Sequence, residues 1–368
     1  MKLTTLTTAI IVATIPMTGA FAAALDRSGQ SISAFLQPGN YFEAGISVLD
    51  PTVSGTANAN GSTLADMGDD YYFPSAALKL QVTDHFSFGL LYDQPFGADA
   101  TYSLTDPALS ITGEGLFRNT TESTAVEVKT QNLSMILGFQ PTENWNLYGG
   151  GVYQTVKGDV QLRGLAYGGQ GTFGTYNASM KEDSAAGWLA GLAYQIPEIA
   201  LKASVTYRSE IDHDAAKTET FAAPSLFAGL NALPNGSTSI TTPQSVNLDF
   251  QTGIMADTVA FANVRWVDWS NFSIRPTKFG TVSQNPLVAA STGKPQGFDL
   301  VAYSDDQISA TVGVGRKLSQ QWAGNVAVGW DSGAGNPVST LGPTEGYWNL
   351  GLGMQFSPTP ATFIAGGV

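Results

Sequence analysis

Residue types suited to acid–base or nucleophilic chemistry are scarce in this chain of 368 residues, which contains two histidines and no cysteine. Ser209, Glu210 and His213 provide the residue types of a hydrolase site within one short segment. That chemistry requires a serine beside a base, and a third group that orients the base. Because nothing around Ser209 supplies this arrangement, we interpret the three residues as the polar end of a strand and predict no catalytic residue.

Two other kinds of segment carry groups that bind ions in other proteins. Residues 168–171 (GGQG) have the glycine content of a phosphate loop, but no Lys-Ser/Thr pair or helix follows them. The aspartates at 66, 69, 70, 305 and 306 lack the spacing of an EF-hand. The lack of cysteine excludes thiolate-held metals, and the net charge of −13 argues against a nucleic-acid partner. The sequence therefore predicts no metal site, no cofactor and no nucleic-acid partner.

The overall composition indicates which elements position the polar groups. Only 13% of residues are charged, against about 25% in an ordinary soluble domain. The 43% of hydrophobic residues argue against a disordered chain. After the N-terminus, however, no stretch approaches the roughly 20 apolar residues of a membrane-spanning helix. A chain this poor in charge, without such helices, is typical of a β-barrel in an outer membrane.

The N-terminal residues have the three parts of a secretory signal peptide. Lys2 supplies the positive charge, residues 9–17 (AIIVATIPM) are apolar, and residues 20–22 (AFA) form a small-x-small cleavage site. We therefore assign residues 1–22 to a signal peptide. Export of a cysteine-free chain fits a Gram-negative envelope.

Alternation of polar and apolar residues predicts the strands, because a transmembrane strand turns every second residue towards lipid. In residues 245–251, Val246, Leu248 and Phe250 share one face while the other face is wholly polar. The same separation occurs in residues 74–82, 199–208 and 347–356. Weaker alternation marks residues 41–49, 86–92, 124–139, 145–156, 187–195, 259–269, 307–315 and 322–330. The pattern predicts about twelve strands and the start of another at residues 361–368.

The connections between these strands alternate in length. Short polar turns are predicted at residues 83–85, 141–144, 196–198, 256–258, 318–321 and 357–360. Long loops rich in small polar residues are predicted at 51–71, 96–123, 158–183, 211–243, 271–306 and 331–345. Outer-membrane barrels have short periplasmic turns and long extracellular loops. Trp145, Trp266, Trp269, Trp322 and Trp330 lie near strand ends, as interfacial aromatic residues do. A transmembrane barrel is therefore favoured over a soluble β-sandwich.

One predicted extracellular loop contains an apolar segment, residues 221–233 (FAAPSLFAGLNAL). Leu226, Phe227, Leu230 and Leu233 have the spacing of one helical face. Such a face outside the membrane either packs against a neighbouring loop or offers an apolar site to a solute. Both interpretations are open on the residues alone.

The third predicted strand runs into an unusual segment, residues 92–99 (YDQPFGAD). Pro95 cannot donate a ladder hydrogen bond and Gly97 tolerates dihedral angles that other residues avoid. The strand is expected either to kink there or to end early.

Four segments resemble the outer-membrane long-chain fatty acid transporter family, which also contains aromatic-hydrocarbon channels. The matching segments are residues 89–102 (GLLYDQPFGADATY), 201–212 (LKASVTYRSEID), 266–272 (WVDWSNF) and 329–332 (GWDS) leading to 347–353 (YWNLGLG). They occur in the family's order from about residue 40 to the end. This resemblance implies an all-β fold, a transmembrane antiparallel β-barrel of about 14 strands plugged by an N-terminal hatch.

The resemblance also implies a route for a hydrophobic ligand. Leu226, Phe227, Leu230 and Leu233 would line an outer groove that captures it. Tyr92, Pro95, Phe96 and Gly97 would lie at a lateral opening, through which the ligand leaves sideways into the outer-membrane lipid. The protein is then expected to act as a monomer.

The sequence departs from the family in two places. Only residues 23–40 precede the first strand, so the hatch is expected to be short, and they lack the family's Asn-Pro-Ala string. Residues 41–368 reach only the start of a thirteenth strand, so the barrel is expected to be incomplete at its C-terminus. The sequence thus predicts passive uptake of long-chain fatty acids or similar hydrophobic molecules. The alternatives are an aromatic-hydrocarbon channel and an envelope barrel that acts as an adhesin or structural protein.

Overall fold

The computed structural model describes residues 24–58, 60–336 and 338–368. The predicted signal peptide, residues 1–22, lies outside these residues. Over the described ranges, no helix is long and apolar enough to cross a membrane. The strands are β1 (Tyr41–Leu49), β2 (Gly55–Thr56), β3 (Thr63–Leu64), β4 (Tyr71–Gln81), β5 (Phe86–Asp93), β6 (Gly97–Thr101), β7 (Ala125–Phe139), β8 (Trp145–Gln161), β9 (Tyr176–Ile196), β10 (Leu201–Arg208), β11 (Ile211–Phe221), β12 (Ser237–Thr242), β13 (Ser245–Met255), β14 (Thr258–Val267), β15 (Ser273–Ile274), β16 (Val301–Ala302), β17 (Gln307–Lys317), β18 (Trp322–Asp331), β19 (Tyr347–Thr359) and β20 (Thr362–Gly367). Two short helices are also described, α1 (Thr277–Ser283) and α2 (Pro286–Thr292).

One antiparallel sheet forms the body of the protein. Its strand order is β1-β4-β5-β7-β8-β9-β10-β13-β14-β17-β18-β19-β20, which is thirteen strands in the described chain. The rings of Tyr41 in β1 and Phe363 in β20 stack with their centroids 6.3 Å apart. The first and last strands therefore meet, and the sheet curves round into a barrel. The predicted antiparallel barrel is confirmed.

The alternation that predicted the strands corresponds to two opposite environments. On β7, Leu133, Met135 and Leu137 are exposed, whereas Asn132 and Ser134 of the same strand are buried. A soluble protein has the reverse arrangement, with apolar residues inside. The exposed apolar face therefore contacts lipid, and the buried polar face lines the lumen.

Connection lengths alternate as the sequence predicted, but two long loops contain additional structure. The predicted loop at 211–243 contains β11 and β12, which pair with each other. β11 also pairs with the outer part of β9, where Lys217 lies opposite Met180, so the hairpin extends the barrel wall outward. The predicted loop at 271–306 contains α1 and α2. These loops fold over the outer end of the barrel and bury a large apolar cluster there.

The tryptophan prediction is correct only in part. Trp145 and Trp322 are 44% and 45% exposed near the ends of β8 and β18. Trp269, in contrast, is completely buried, so its assignment to an interfacial girdle is wrong. The chain turns inward after Val267, where the Trp269 indole N–H donates to the Gln307 side chain (2.8 Å) and its ring packs against Phe96 (5.4 Å).

Residues 24–40 lie inside the barrel. Phe35 is fully buried, and a Cβ on Gly89 of β5 or Gly138 of β7 would come within 3 Å of its ring, so these two glycines make room for it. Lys79 and Lys202, from β4 and β10, donate through Nζ to the carbonyls of Gln37 and Leu36. Cationic side chains thus fix the carbonyl end of a short turn across the lumen.

Candidate functional site

The outer end of the barrel holds a cluster of phenylalanines, which we call the outer aromatic cluster: Phe173, Phe221, Phe227, Phe279 and Phe298. The ring centroid of Phe173 lies 4.7 Å from that of Phe279, 5.7 Å from that of Phe298 and 6.4 Å from that of Phe227. The Lys294 ammonium lies 5.7 Å from the Phe298 ring centroid, at the border of the cluster. A cation beside an apolar surface suits a molecule with an apolar body and an anionic end.

The structure divides the four residues predicted for the outer groove into two pairs. Phe227 and Leu230 pack against the buried apolar cluster, whereas Leu226 is 74% and Leu233 49% exposed. The predicted helix over 221–233 is wrong except at Ala228–Ala232, which form a 3₁₀ helix. Asn231 explains the difference, because its side chain bonds both the N–H and the carbonyl of Phe221 (2.9 Å each) and closes the segment into a compact loop.

The third transmembrane strand is interrupted at Pro95, where the sequence predicted a kink or an end. β5 ends at Asp93, opposite Asn132, and β6 begins at Gly97, opposite Lys129. From Asp93 to Gly97 the chain advances four residues while β7 advances only three, from Asn132 to Lys129. One extra residue on one strand is the geometry of a bulge. The strand kinks and continues, so the alternative of an early end is wrong.

The kink interrupts the wall between β4 and its neighbour. β4 pairs with β5 only as far as Tyr92. Among the strands β6 pairs with β7, and its outer part also bonds residues 67–69, just before β4 begins. We call the space between the start of β4 and Gly97 the wall gap. Its backbone groups bond to the N-terminal segment instead: the Arg27 N–H donates to the Pro95 carbonyl (2.7 Å), and the Gly97 N–H donates to the Leu25 carbonyl (2.8 Å).

Pro95, Phe96 and Gly97 thus lie together at the wall gap, while Tyr92 lies at the end of β5 below it. Phe96 is buried and points into the barrel. Its N–H donates to the Thr130 hydroxyl (2.9 Å), which donates to the Phe96 carbonyl (2.7 Å). The Phe96 carbonyl also accepts from the Thr130 backbone N–H (3.2 Å), so one threonine satisfies both backbone groups of Phe96 at the kink.

Phe96 also lines an apolar cavity inside the barrel, with a volume of about 420 Å³, which we call the inner cavity. Its other lining residues come from the N-terminal segment, from the barrel strands and from the segment after β14: Leu25, Val128, Thr130, Val156, Lys157, Gly158, Met180, Ile240, Thr242, Pro243, Trp269, Phe272 and Ile274.

A smaller polar cavity of about 250 Å³ adjoins the inner cavity, since Phe96, Thr242 and Pro243 line both. Arg208, the last residue of β10, lines the polar cavity and is 6% exposed. Nη1 of Arg208 is buried and has no hydrogen-bond partner among the described residues. An apolar cavity thus leads to a buried guanidinium that has an unused donor.

His213 supports Gln154, which lines this polar cavity, and is not part of a hydrolytic site. Its Nδ1 lies 3.1 Å from the Asp183 carboxylate and its Nε2 lies 2.9 Å from the side-chain oxygen of Gln154. Ser209 instead accepts a hydrogen bond from the Trp188 N–H (3.0 Å). Burial lowers the pKa of His213, and the hydrogen bond that its ring donates to the Asp183 carboxylate opposes that shift.

Charged residues hold the N-terminal segment in place, and sequence reasoning missed them. Arg265 of β14 donates from Nε to Asp26 (2.8 Å), from Nη2 to Gln30 (3.0 Å) and from Nη1 to Asn247 (2.7 Å). Arg208 and Arg265 both occupy the inward face of lipid-exposed strands. Their position on the inward face could have identified them in the sequence, because a charged side chain that is buried in the lumen needs a partner or a function.

A transmembrane β-barrel with an interior segment and an apolar cavity has the architecture of an outer-membrane channel. Residues 22–336 match the family model described as "Outer membrane protein transport protein (OMPP1/FadL/TodX)", so the chain belongs to this family. The family consists of outer-membrane transport channels of Gram-negative bacteria, and the function of the chain is transport of hydrophobic compounds, not catalysis.

Solved structures show the same fold at low sequence identity. A Pseudomonas aeruginosa FadL homologue is 15% identical, with a TM-score of 0.57 over 89% of this chain and 79% of that one. The Pseudomonas putida toluene transporter TodX is 12% identical, with a TM-score of 0.56 over 94% and 88%. The Ralstonia pickettii toluene transporter TbuX is 13% identical, with a TM-score of 0.51 over 93% and 88%. A search of curated proteins finds no match.

Proposed function

We propose that this protein takes up long-chain fatty acids or similar amphiphiles with one anionic end, as a single chain and without energy or cofactor. The observation that carries this proposal is the unpartnered Nη1 of Arg208 in the polar cavity that adjoins the inner cavity. A carboxylate gives such a donor its strongest hydrogen bonds, while the inner cavity accommodates apolar chain. A neutral hydrocarbon leaves this donor without a hydrogen bond.

The proposed route begins at the outer aromatic cluster and ends at the wall gap. Leu226 and Leu233 offer exposed apolar surface beside the cluster, and Lys294 offers a positive charge. Phe96 lies both on the inner cavity and at the kink, so a ligand in the cavity is already beside the wall gap. Sideways exit avoids exposing the chain to water, which costs about 0.8 kcal/mol for each methylene.

Residues 24–40 are proposed to act as the hatch that closes the lumen below this route. Phe35, Lys79 and Lys202 fix its C-terminal part, and Arg265 fixes its N-terminal part. Because residues 24–40 fill the lumen, a ligand in the inner cavity would leave through the wall gap.

Aromatic hydrocarbons are the second candidate, since TodX and TbuX are toluene transporters. An apolar cavity alone suits both ligands. The two candidates separate in competition binding on the purified protein in detergent, with fluorescent fatty acid as the tracer. We expect oleate to displace the tracer at least tenfold better than oleyl alcohol, and toluene to displace it poorly. Toluene as the better competitor would reject the fatty acid in favour of a hydrocarbon.

The capture step is tested by placing a charge in the outer aromatic cluster. Phe227→Asp puts a carboxylate among the rings that Phe227 contacts, and it should also repel an anionic ligand. We expect uptake at low oleate concentration to fall about tenfold, with little change at saturating concentration. Ile111→Asp, on a different loop and fully exposed, is the matched control and should leave uptake unchanged. Equal uptake by both variants would contradict the role of the cluster.

A further inference from the structure

The wall gap contains a cation that no role described above uses. Arg27 is only 9% exposed, and the chain on either side of it is fixed to the kink by the backbone hydrogen bonds to Pro95 and Gly97. Its guanidinium carbon lies 3.7 Å from the centroid of the Tyr71 ring, at the start of β4. A Cβ on Gly97 would come within 2.5 Å of the same carbon. The guanidinium therefore fills the space between β4 and β6.

Two nitrogens of this guanidinium are unused. Nε and Nη2 of Arg27 are buried without a hydrogen-bond partner in the described part of the chain. They are the two nitrogens along one edge of the guanidinium, the edge that binds a carboxylate or phosphate through two parallel hydrogen bonds. Leaving such donors buried and unpaired is unfavourable. Their geometry suits an oxyanion that presents two oxygens and binds transiently.

The surroundings of Arg27 allow such a group to enter. Arg27 and Tyr71 line a cavity of about 500 Å³ that also reaches Gly97 and Asp99. On β6, Gly97 and Asp99 pair with Lys129 and Glu127 of β7. The Lys129 side chain is exposed and the Glu127 side chain is half-buried. Burial lowers the pKa of Arg27, but a guanidinium in a protein stays charged at neutral pH. The negative charge of the nearby Asp99 disfavours permanent binding of an anion, so binding at Arg27 is expected to be transient.

We propose that Nε and Nη2 of Arg27 form an oxyanion-binding site in the wall gap, which holds the head group of an amphiphile while it passes between β4 and β6. The oxyanion is either the carboxylate of the departing ligand or the phosphate of a neighbouring membrane lipid. The first source rests on the proposed function, whereas the second does not. In both cases the site recognises two oxygens that share one negative charge.

The test compares a charged ligand with its neutral counterpart in reconstituted vesicles. The purified protein is loaded with oleate or with oleyl alcohol, and both the equilibrium affinity and the rate of ligand transfer into the bilayer are measured. For Arg27→Met we expect oleate transfer to slow about tenfold, as the loss of a charge-assisted hydrogen bond predicts. Oleate affinity and oleyl alcohol transfer should change less than twofold.

Two further variants separate ligand binding from simple filling of space. Arg27→Lys keeps the charge without the two-nitrogen edge, so an intermediate rate is expected. Gly97→Ala should displace the guanidinium and act like Arg27→Met. If every variant changes oleate and oleyl alcohol transfer equally in vesicles without phosphate, or changes neither in any vesicles, the inference is wrong.

Lipid composition distinguishes the two sources of the oxyanion. In vesicles of a neutral galactolipid without phosphate, a persisting tenfold effect of Arg27→Met identifies the ligand carboxylate. An effect seen only with phospholipid vesicles, and equal for oleate and oleyl alcohol, identifies the lipid phosphate. Failure of the wild-type protein to bind oleate would reject the proposed function, while normal oleate binding with unaltered transfer in Arg27→Met would reject this site alone.

Discussion

Replacing Arg265 by methionine is expected to detach the N-terminal part of the hatch and make the barrel conduct ions. Arg265 forms a buried ion pair with Asp26 and also bonds Gln30 and Asn247. Removing one partner of a buried pair costs about 3–5 kcal/mol, because the other charge stays buried and uncompensated. Detachment of residues near Asp26 relieves that penalty. Phe35 should remain in place, since Lys79 and Lys202 still hold the turn beside it.

Hydrogen exchange and planar-bilayer conductance measure the two consequences. In Arg265→Met we expect amide protection at Leu25 and Arg27 to fall at least tenfold and conductance to rise clearly above that of the wild type. Arg275→Met is the matched control, because its ion pair with Asp299 is partly exposed and such pairs contribute about 0–1 kcal/mol. The double variant Asp26→Leu/Arg265→Met removes both charges and should restore protection. Unchanged protection in Arg265→Met would contradict the anchoring role.

Replacing Arg208 by methionine is expected to abolish the preference for an anionic ligand. A hydrogen bond to a charged group contributes about 1.5–3 kcal/mol, and a tenfold change in affinity corresponds to about 1.4 kcal/mol. Oleate should therefore bind about 10- to 100-fold more weakly to Arg208→Met. Oleyl alcohol should bind as well as before or better, since methionine adds apolar surface at the same place.

Competition binding with both ligands measures this prediction. Arg316→Met, which removes an exposed arginine of β17 far along the strand, is the control and should alter neither affinity. Equal weakening of oleate and oleyl alcohol would mean that Arg208 supports the barrel structurally. Unaltered oleate affinity would mean that the head group lies elsewhere.

The membrane-spanning strands could be predicted because lipid imposes one rule on all of them. Leu133, Met135 and Leu137 must be apolar wherever the strand lies in the sheet, so the pattern is visible locally. β11 was missed because Lys217 and Glu219 are buried beside Ile211 and Phe221 on the same face. Protein packing, not lipid, covers that hairpin, so polar and apolar residues share its inner side.

The candidate sites could be predicted only where local backbone chemistry determines them. Pro95 and Gly97 disclosed the kink because their constraints act within the strand itself. The hydrogen bond between Arg265 and Asp26 joins residues 239 positions apart. Arg27 and Tyr71 likewise meet only because the hatch crosses the kinked strand. Such contacts depend on strand order and register, which alternation does not specify.

The measurement that tests the central claim most directly is oleate uptake by Gram-negative cells that lack their own fatty acid transporter. Cells that express this protein in the outer membrane should take up labelled oleate saturably. Arg208→Met should lower the uptake at limiting oleate about tenfold, and Arg316→Met should not. Correctly inserted wild-type protein with no uptake above the empty vector would contradict the assignment of fatty acids as its ligands.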